Sequence, residues 1–212
     1  MSSALEKMQA AYKKNQSGNK DYYSLKQGWN RFRVCPSWLG KDELFYKEIP
    51  THYNLGPERR IATCCVERCP ACLKAAKLAE SSNPKKQKRA ENIMVKTRIG
   101  MNVVPYDKKG KLKKKPKMWT TTPNNLNELL QYVMDADYGD FTDVKKGFDV
   151  MVHKKGKKKA TRYKVRLARK PSKFKTWKKI KKHLYNLDKR FKATPRGKIK
   201  DMLLGRDSRE ED

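Results

Sequence analysis

The sequence is poor in acidic residues and contains no long apolar run. Its 212 residues include 22 Asp and Glu against 53 Lys and Arg, a formal net charge of +31. No segment approaches the ~18 apolar residues that a membrane-spanning helix needs, so we expect no span. The first residues lack an apolar run followed by a small-residue cleavage site, which argues against secretion. We expect this chain to bind polyanions, with nucleic acid as the first candidate and an anionic membrane surface as the second.

Motifs of catalysis are also missing from the sequence. It contains neither a glycine-rich phosphate loop nor a nucleophile elbow, and it offers no carboxylate pair in a credible pocket. The hydrophobic share of 37% is below the usual ~45–50%, which predicts a modest core and a large surface. We therefore expect a binding protein rather than an enzyme.

Alternation of apolar and polar residues predicts a mainly β fold. The strand candidates are residues 29–34, 44–49 and 93–104, followed by a β-hairpin of 148–152 and 161–167. Apolar residues at helical spacing predict helices at 3–14, 126–134 and 174–191.

Both ends of the chain are predicted to be helical extensions. Ser3 and Glu6 form a capping box, so residues 1–20 are expected to be a helical arm followed by a linker. Residues 172–212 are expected to be a basic helical extension that begins at a capping Ser172. Its apolar stripe either packs on the core or belongs to a detached arm that folds on a partner. The regular spacing and two large aromatic residues favour packing.

A cysteine cluster is the most specific feature of the sequence. Cys69 and Cys72 have the two-residue gap that lets two thiolates reach one tetrahedral ion, and Pro70 predicts a helix start with Cys69 near its cap. We expect His52 and Cys65 to complete a zinc site. Cys64 is the alternative to Cys65, because neighbouring residues of an extended chain point in opposite directions. A redox dithiol of Cys69 and Cys72, or buried thiols without a metal, are the competing interpretations.

Basic residues coincide with aromatic residues on several of the predicted strands. Single-stranded nucleic acid is bound by this combination, since cations follow the phosphates and exposed rings stack on unpaired bases. The competing interpretation for each ring is packing in the core. The candidate contact residues are Trp29, Arg31, Arg33, Tyr46, Lys96, Arg98, Tyr106, Trp119, Arg162, Lys164 and Arg166.

The order of these features resembles a known family over roughly residues 21–172. The segments that carry the resemblance are Gly28-Trp29-Asn30-Arg31-Phe32-Arg33-Val34-Cys35-Pro36, His52, Cys69-Pro70-Ala71-Cys72, Asn102-Val103-Val104, Trp119, Asp137-Tyr138-Gly139-Asp140, Gly147-Phe148-Asp149-Val150 and Tyr163. Together they resemble the zinc-containing single-stranded-DNA-binding proteins of tailed phages, the helix-destabilising family of the T-even phages.

The resemblance implies an OB-fold-like barrel at residues 21–171 with an inserted zinc subdomain at about 50–92. It implies one structural zinc ion on His52, Cys65, Cys69 and Cys72. It also implies sequence-independent binding of single-stranded DNA in phage replication, recombination and repair, in the cytoplasm of the infected bacterial cell. Replication or recombination proteins, and further copies of the chain along the DNA, are the implied partners.

Three alternatives to this function stay open at the level of sequence. The chain is a basic zinc protein that binds RNA or duplex DNA, or it is a dithiol oxidoreductase that uses Cys69 and Cys72. The third is an interaction protein whose segment 173–191 docks on a polymerase or a membrane surface.

Overall fold

The computed structural model describes residues 21–40, 42–107, 109–157 and 160–206. These residues form the strands β1 (Gly28–Val34), β2 (Tyr46–Leu55), β3 (Arg60–Thr63), β4 (Lys96–Pro105), β5 (Lys117–Thr121), β6 (Phe148–Lys155) and β7 (Arg162–Pro171). The helices are α1 (Pro70–Ala79), α2 (Pro84–Ile93), α3 (Pro123–Val133), α4 (Trp177–Lys181), α5 (Leu187–Arg190) and α6 (Arg196–Leu204). The predicted N-terminal arm at 1–20 lies outside the described residues.

The strands form one mainly antiparallel sheet, which confirms the predicted β class. Its order is β3-β2-β4-β1-β6-β7, and β5 pairs with β4 beside this path. In the described part of the chain no pairing joins β3 to β7, so the sheet is open where the resemblance implies a closed barrel.

The chain divides into two compact units, and β4 contributes to both. Unit 1 holds the described residues up to Tyr46, together with Met101–Thr120 and Asn124–Tyr185. Unit 2 holds Lys47–Gly100, Thr121–Pro123 and the described residues from Asn186 onward.

The core of unit 1 forms because alternate residues of β1 point inward. Phe32 and Val34 are buried as the alternation predicts, and the Phe32 ring meets the edge of Trp119 with centroids 4.8 Å apart. Phe174 and Ile180, from the C-terminal extension, are buried against Cys35 and other core residues. This part of the extension is therefore packed, as its apolar stripe favours.

The single long helix predicted at 174–191 is wrong. Two short helices, α4 and α5, replace it, and Ser172 caps neither, because their N-caps are Thr176 and Asn186. The buried Asn102 side chain explains the break within unit 1: its amide donates to the Tyr185 carbonyl at 2.9 Å and its oxygen accepts from the Tyr185 N–H at 3.1 Å. These bonds take backbone groups that a continuous helix would have used itself.

The core of unit 2 combines the β2–β3 hairpin with helices from both ends of the unit. Leu55, Ile93, Ile199 and Leu203 are buried in one cluster. The same cluster contains the thiols of Cys64 and Cys69. The cysteine residues therefore lie in the core of unit 2.

Candidate metal centre and nucleic-acid interface

A hairpin and a helix start position the side chains of unit 2 that could ligate a metal. His52 lies on β2 opposite Ala62 of β3, and Cys64 follows the end of β3, where its N–H donates to the Pro50 carbonyl at 2.7 Å. Cys69 is the residue before α1, Pro70 occupies the first turn, and Cys72 follows within that turn. This confirms the predicted helix start, which Pro70 favours because its missing N–H would have had no partner there.

Four side chains converge at this point: His52, Cys64, Cys69 and Cys72, whose ligand atoms all lie within 4.8 Å of one another. His52 Nε2 is 3.4 Å from Cys69 Sγ and 3.5 Å from Cys72 Sγ, and the Cys64 and Cys72 sulfurs are 3.7 Å apart. The other ring nitrogen of His52 is 2.8 Å from the Ile93 carbonyl, which fixes the ring with Nε2 toward the thiols. The four residues form a cluster that can hold a metal ion.

The cluster contains Cys64 where Cys65 was predicted. The structure therefore places the alternative ligand, Cys64, beside His52, Cys69 and Cys72. Cys64 Sγ accepts from the Val66 N–H at 3.3 Å, whereas Cys65 Sγ lies 4.0 Å from the Glu67 carbonyl. Val66 and Arg68 have positive φ angles of 60° and 44°, which fold the chain into a tight turn between Cys64 and Cys69.

The backbone around the cluster favours a thiolate at one position. Burial opposes ionisation of Cys69, but hydrogen bonds from the backbone N–H groups of Cys72, Cys65 and Ala71 outweigh it and lower the Cys69 pKa to about 6. Burial, together with the neighbouring thiols, raises the pKa of Cys72 to about 12. A bound cation would deprotonate the other two thiols, Cys64 and Cys72, as well, because only thiolates ligate metals.

In unit 1, strand register brings several of the predicted contact residues to one sheet face. Trp29 of β1 is opposite His153 of β6, which is opposite Lys164 of β7; Arg31, Met151 and Arg166 form the neighbouring row. We call this set, with Arg162 opposite Lys155, the basic face: Trp29, Arg31, Met151, His153, Lys155, Arg162, Lys164 and Arg166.

The rings and cations of the basic face contact one another. The Arg166 guanidinium lies 4.0 Å from the centre of the Trp29 ring, and the Trp29 and His153 rings are 4.9 Å apart. Trp29 is 46% exposed, so the stacked arrangement remains accessible to solvent. Guanidinium and indole attract each other through the ring quadrupole, which holds both in place.

A groove of about 830 Å³ begins at the Trp29 and Arg31 end of the basic face. Its other lining residues include further rings and cations: Tyr22, Tyr23, Lys26, Tyr106, Lys113 and Lys117. The groove therefore places aromatic surface beside positive charge, as the sequence interpretation for Tyr106 requires.

Two predicted contact residues, Arg33 and Trp119, lie in the interior. Arg33 is 1% exposed and donates to the carbonyls of Phe141 at 3.0 Å and Asp143 at 2.6 Å. The loop between α3 and β6 covers this end of β1, which strand alternation cannot reveal. Trp119 is 2% exposed against Phe32. Neither side chain is accessible to a nucleic acid in this structure.

The remaining predicted contact residues, Tyr46, Lys96 and Arg98, lie on β2 and β4, which do not contribute to the basic face. Tyr46, the first residue of β2, is half-buried with its ring 5.2 Å from that of Phe45. Lys96 is exposed and Arg98 half-buried, both on the part of β4 that belongs to unit 2. The basic face itself contains residues that sequence analysis missed, chiefly His153. The sequence places His153 in the predicted hairpin, but its neighbours Trp29 and Lys164 are known only from the strand register.

Comparison with known proteins adds no assignment. No family model matches the sequence, and no curated protein matches it. Among the described residues, no helix is long and apolar enough to cross a membrane.

Proposed function

We propose that the protein binds single-stranded DNA on the basic face and in the adjoining groove, without strong sequence preference. The observation that carries the proposal is the register of β1, β6 and β7. It aligns Trp29, His153 and Lys164 in one row and Arg31 and Arg166 in the next. Cations at this spacing neutralise phosphates, and the accessible indole offers a stacking surface to an unpaired base.

The aromatic residues favour a single strand over a duplex. Phosphate contacts alone bind both forms, because the backbone charge is common to them. Trp29 and Tyr106 gain contact only with bases that are not paired and stacked within a helix. The net charge of +31 supports the electrostatic part of this binding.

The proposal assigns a structural zinc ion to His52, Cys64, Cys69 and Cys72. Zn–S bonds of ~2.3 Å and Zn–N bonds of ~2.0–2.1 Å place ligand atoms of a tetrahedron ~3.8 Å apart for two sulfurs and ~3.6 Å apart for sulfur and nitrogen. The observed distances are 3.7 Å between the Cys64 and Cys72 sulfurs and 3.4 and 3.5 Å from His52 Nε2 to the Cys69 and Cys72 sulfurs. Four protein ligands fill the coordination sphere, which is the mark of a structural site.

The same proposal includes membership of the phage single-strand-binding family. It also includes the OB-fold-like barrel of that family and a role in replication, recombination and repair. Their support is the order of segments in the sequence, together with a mainly antiparallel sheet that carries the basic face. The dithiol oxidoreductase is the less favoured function, because the Cys69 side chain is completely buried and a substrate disulfide must reach an attacking sulfur.

Equilibrium binding of labelled oligonucleotides tests the proposal. We expect wild type to bind oligothymidine more tightly than a duplex of equal length, and Trp29→Ala to weaken single-strand binding about tenfold, the size of one lost stacking contact. Tyr163→Ala is the matched control, since Tyr163 is 39% exposed on the other side of β7.

Equal affinity for duplex and single strand, or an unchanged affinity in Trp29→Ala, would overturn the proposal. A single-stranded RNA of the same length is the third ligand. If this RNA binds more tightly than oligothymidine, the preferred ligand is RNA and not single-stranded DNA.

A further inference from the structure

A carboxylate is buried at one end of the basic face, beyond the row of Arg31, Met151 and Arg166. Asp149 lies on β6 two residues before Met151, so its side chain points to the same side of the sheet as Met151 and His153. It is 0% exposed, although the surrounding side chains are cationic. A buried ionised carboxylate is costly unless it is paired and hydrogen-bonded, so its partners explain its presence.

Among the described residues, the partners of this carboxylate are donors from other segments of unit 1. Arg31 Nε donates to Oδ2 at 2.8 Å, the Tyr106 hydroxyl lies 2.9 Å from each carboxylate oxygen, and the Ser172 hydroxyl donates to Oδ1 at 2.8 Å. The buried Arg33 Nε is 4.0 Å from Oδ1. Two guanidinium groups therefore share one carboxylate, and the cluster keeps a net positive charge.

These bonds fix the two groove residues against each other. The Arg31 guanidinium lies 4.6 Å from the centre of the Tyr106 ring, and both side chains line the groove. Asp149 is completely buried, whereas the Arg31 side chain is 51% exposed. The carboxylate thus holds the inner edge of the guanidinium and leaves its outer edge open to the groove.

We propose that Asp149 is a positioning residue for nucleic-acid binding: it holds the Arg31 guanidinium and the Tyr106 ring as one stacked, preorganised pair at the groove. This inference rests on the proposed function. Preorganisation raises affinity because the ligand does not have to order side chains when it binds. The alternative to positioning is a purely electrostatic role, in which the negative charge of Asp149 only lowers the net positive charge of the face.

The two roles predict opposite signs for Asp149→Asn. This substitution removes one negative charge and so raises the net charge of the protein by one. If Asp149 only lowers the positive charge of the face, the substitution should make oligothymidine bind more tightly. If Asp149 positions Arg31 and Tyr106, binding weakens about fivefold or more despite the added charge, as expected when a charge-assisted hydrogen bond is lost. Asp137→Asn is the matched control, because Asp137 is exposed in the loop between α3 and β6 and the substitution adds the same charge.

Tyr106→Phe provides a second variant in case Asp149→Asn does not fold. It keeps the ring and the net charge but removes the hydroxyl that donates to Asp149. We expect weaker oligothymidine binding with a salt dependence close to that of wild type, because no phosphate contact is removed. An affinity equal to that of wild type would contradict the positioning role.

The free protein gives a reading that does not depend on DNA binding. In the NMR spectrum of wild type, the Arg31 Nε–H should be protected from exchange with water, and Asp137→Asn should leave it protected. Asp149→Asn should lose that protection. If wild type binds no oligonucleotide but shows this protection, the proposed function fails and Asp149 still holds Arg31. If wild type binds, and Asp149→Asn binds as tightly as Asp137→Asn with Arg31 still protected, the inference fails alone.

Discussion

The Cys64 sulfur lies 3.7 Å from the Cys72 sulfur, while the sulfur of its neighbour Cys65 lies near the Glu67 carbonyl. One position in the chain thus separates a core thiol from a half-exposed one. Ala62, two residues before Cys64, is also buried, and Ile61 is 60% exposed. The alternation of β3 therefore continues into the cysteine pair and selects Cys64.

Serine substitutions at the two cysteines should behave differently. Cys64→Ser removes a proposed zinc ligand, so we expect loss of metal and a clear fall in Tm, because metal binding contributes directly to folding free energy. Cys65→Ser should keep one zinc per chain and a Tm near that of wild type. Metal analysis of the purified variants and thermal unfolding with and without chelator measure both effects. Retention of zinc by Cys64→Ser, with loss in Cys65→Ser, would restore the ligand set expected from sequence.

The C-terminal part of unit 2 should help to retain the metal. Ile199 is fully buried in the same cluster as Cys64 and Cys69, and the Arg196 guanidinium donates to the Glu67 carbonyl at 2.8 Å. We expect Ile199→Ala to destabilise the protein by about 2–5 kcal/mol and to speed zinc transfer to a chromogenic chelator.

Leu204→Ala is the control for that experiment, since Leu204 ends the same helix and is 50% exposed. It should transfer zinc at the wild-type rate. Equal rates in wild type and Ile199→Ala would show that α6 has no part in metal retention.

Cations of the basic face should determine the salt dependence of binding. Lys164→Ala removes a proposed phosphate contact on β7, and the slope of log K against log salt should fall by ~0.7 for a single strand. The reduction should be the same for different base sequences, because phosphates carry no sequence information. Lys145→Ala removes the same charge from the loop between α3 and β6, where Lys145 is exposed among acidic residues, and should leave the slope unchanged. A changed sequence preference in Lys164→Ala with an unchanged slope would contradict the assigned role.

Asn102 should anchor the C-terminal segment of unit 1. Its side chain is 1% exposed and exchanges two hydrogen bonds with the Tyr185 backbone. Asn102→Ala should lower stability by about 1–3 kcal/mol, since it leaves the half-buried N–H and carbonyl of Tyr185 without these partners. Amide exchange around Tyr185 should become faster. Asn127→Ala, at an exposed position on α3, should change neither quantity, and wild-type exchange at Tyr185 in Asn102→Ala would show that other contacts fix this segment.

Local signals allowed the sequence to predict the parts of both sites that depend on neighbours in the chain. Cys69 at a helix start followed from Pro70, and the two faces of β1 followed from alternation. Contacts between distant segments were not predictable in this way. Arg33 shares the strand parity of Trp29, yet the loop that includes Phe141 covers it.

The structure brings Cys64 rather than Cys65 to His52 for a related reason. Hydrophobicity suggests that Ile61 is the inward residue of β3 and Ala62 the outward one, whereas the structure has the reverse. Ala62 lies opposite His52 and is buried in one cluster with Cys64 and with Ala71 of α1, and the sequence of a single strand does not encode these contacts. Tertiary packing also divides the extension at Tyr185, although its apolar stripe is regular.

Photocrosslinking of oligothymidine to the wild-type protein, with the crosslinked residues located by mass spectrometry, tests the central claim most directly. Binding on the basic face and in its groove predicts crosslinks at Trp29 and Tyr106, which free oligothymidine in excess should abolish. Duplex DNA should produce far fewer crosslinks at these rings. Crosslinks confined to the lysine-rich segment 173–182, or none at either ring under conditions where the oligonucleotide is bound, would contradict the claim.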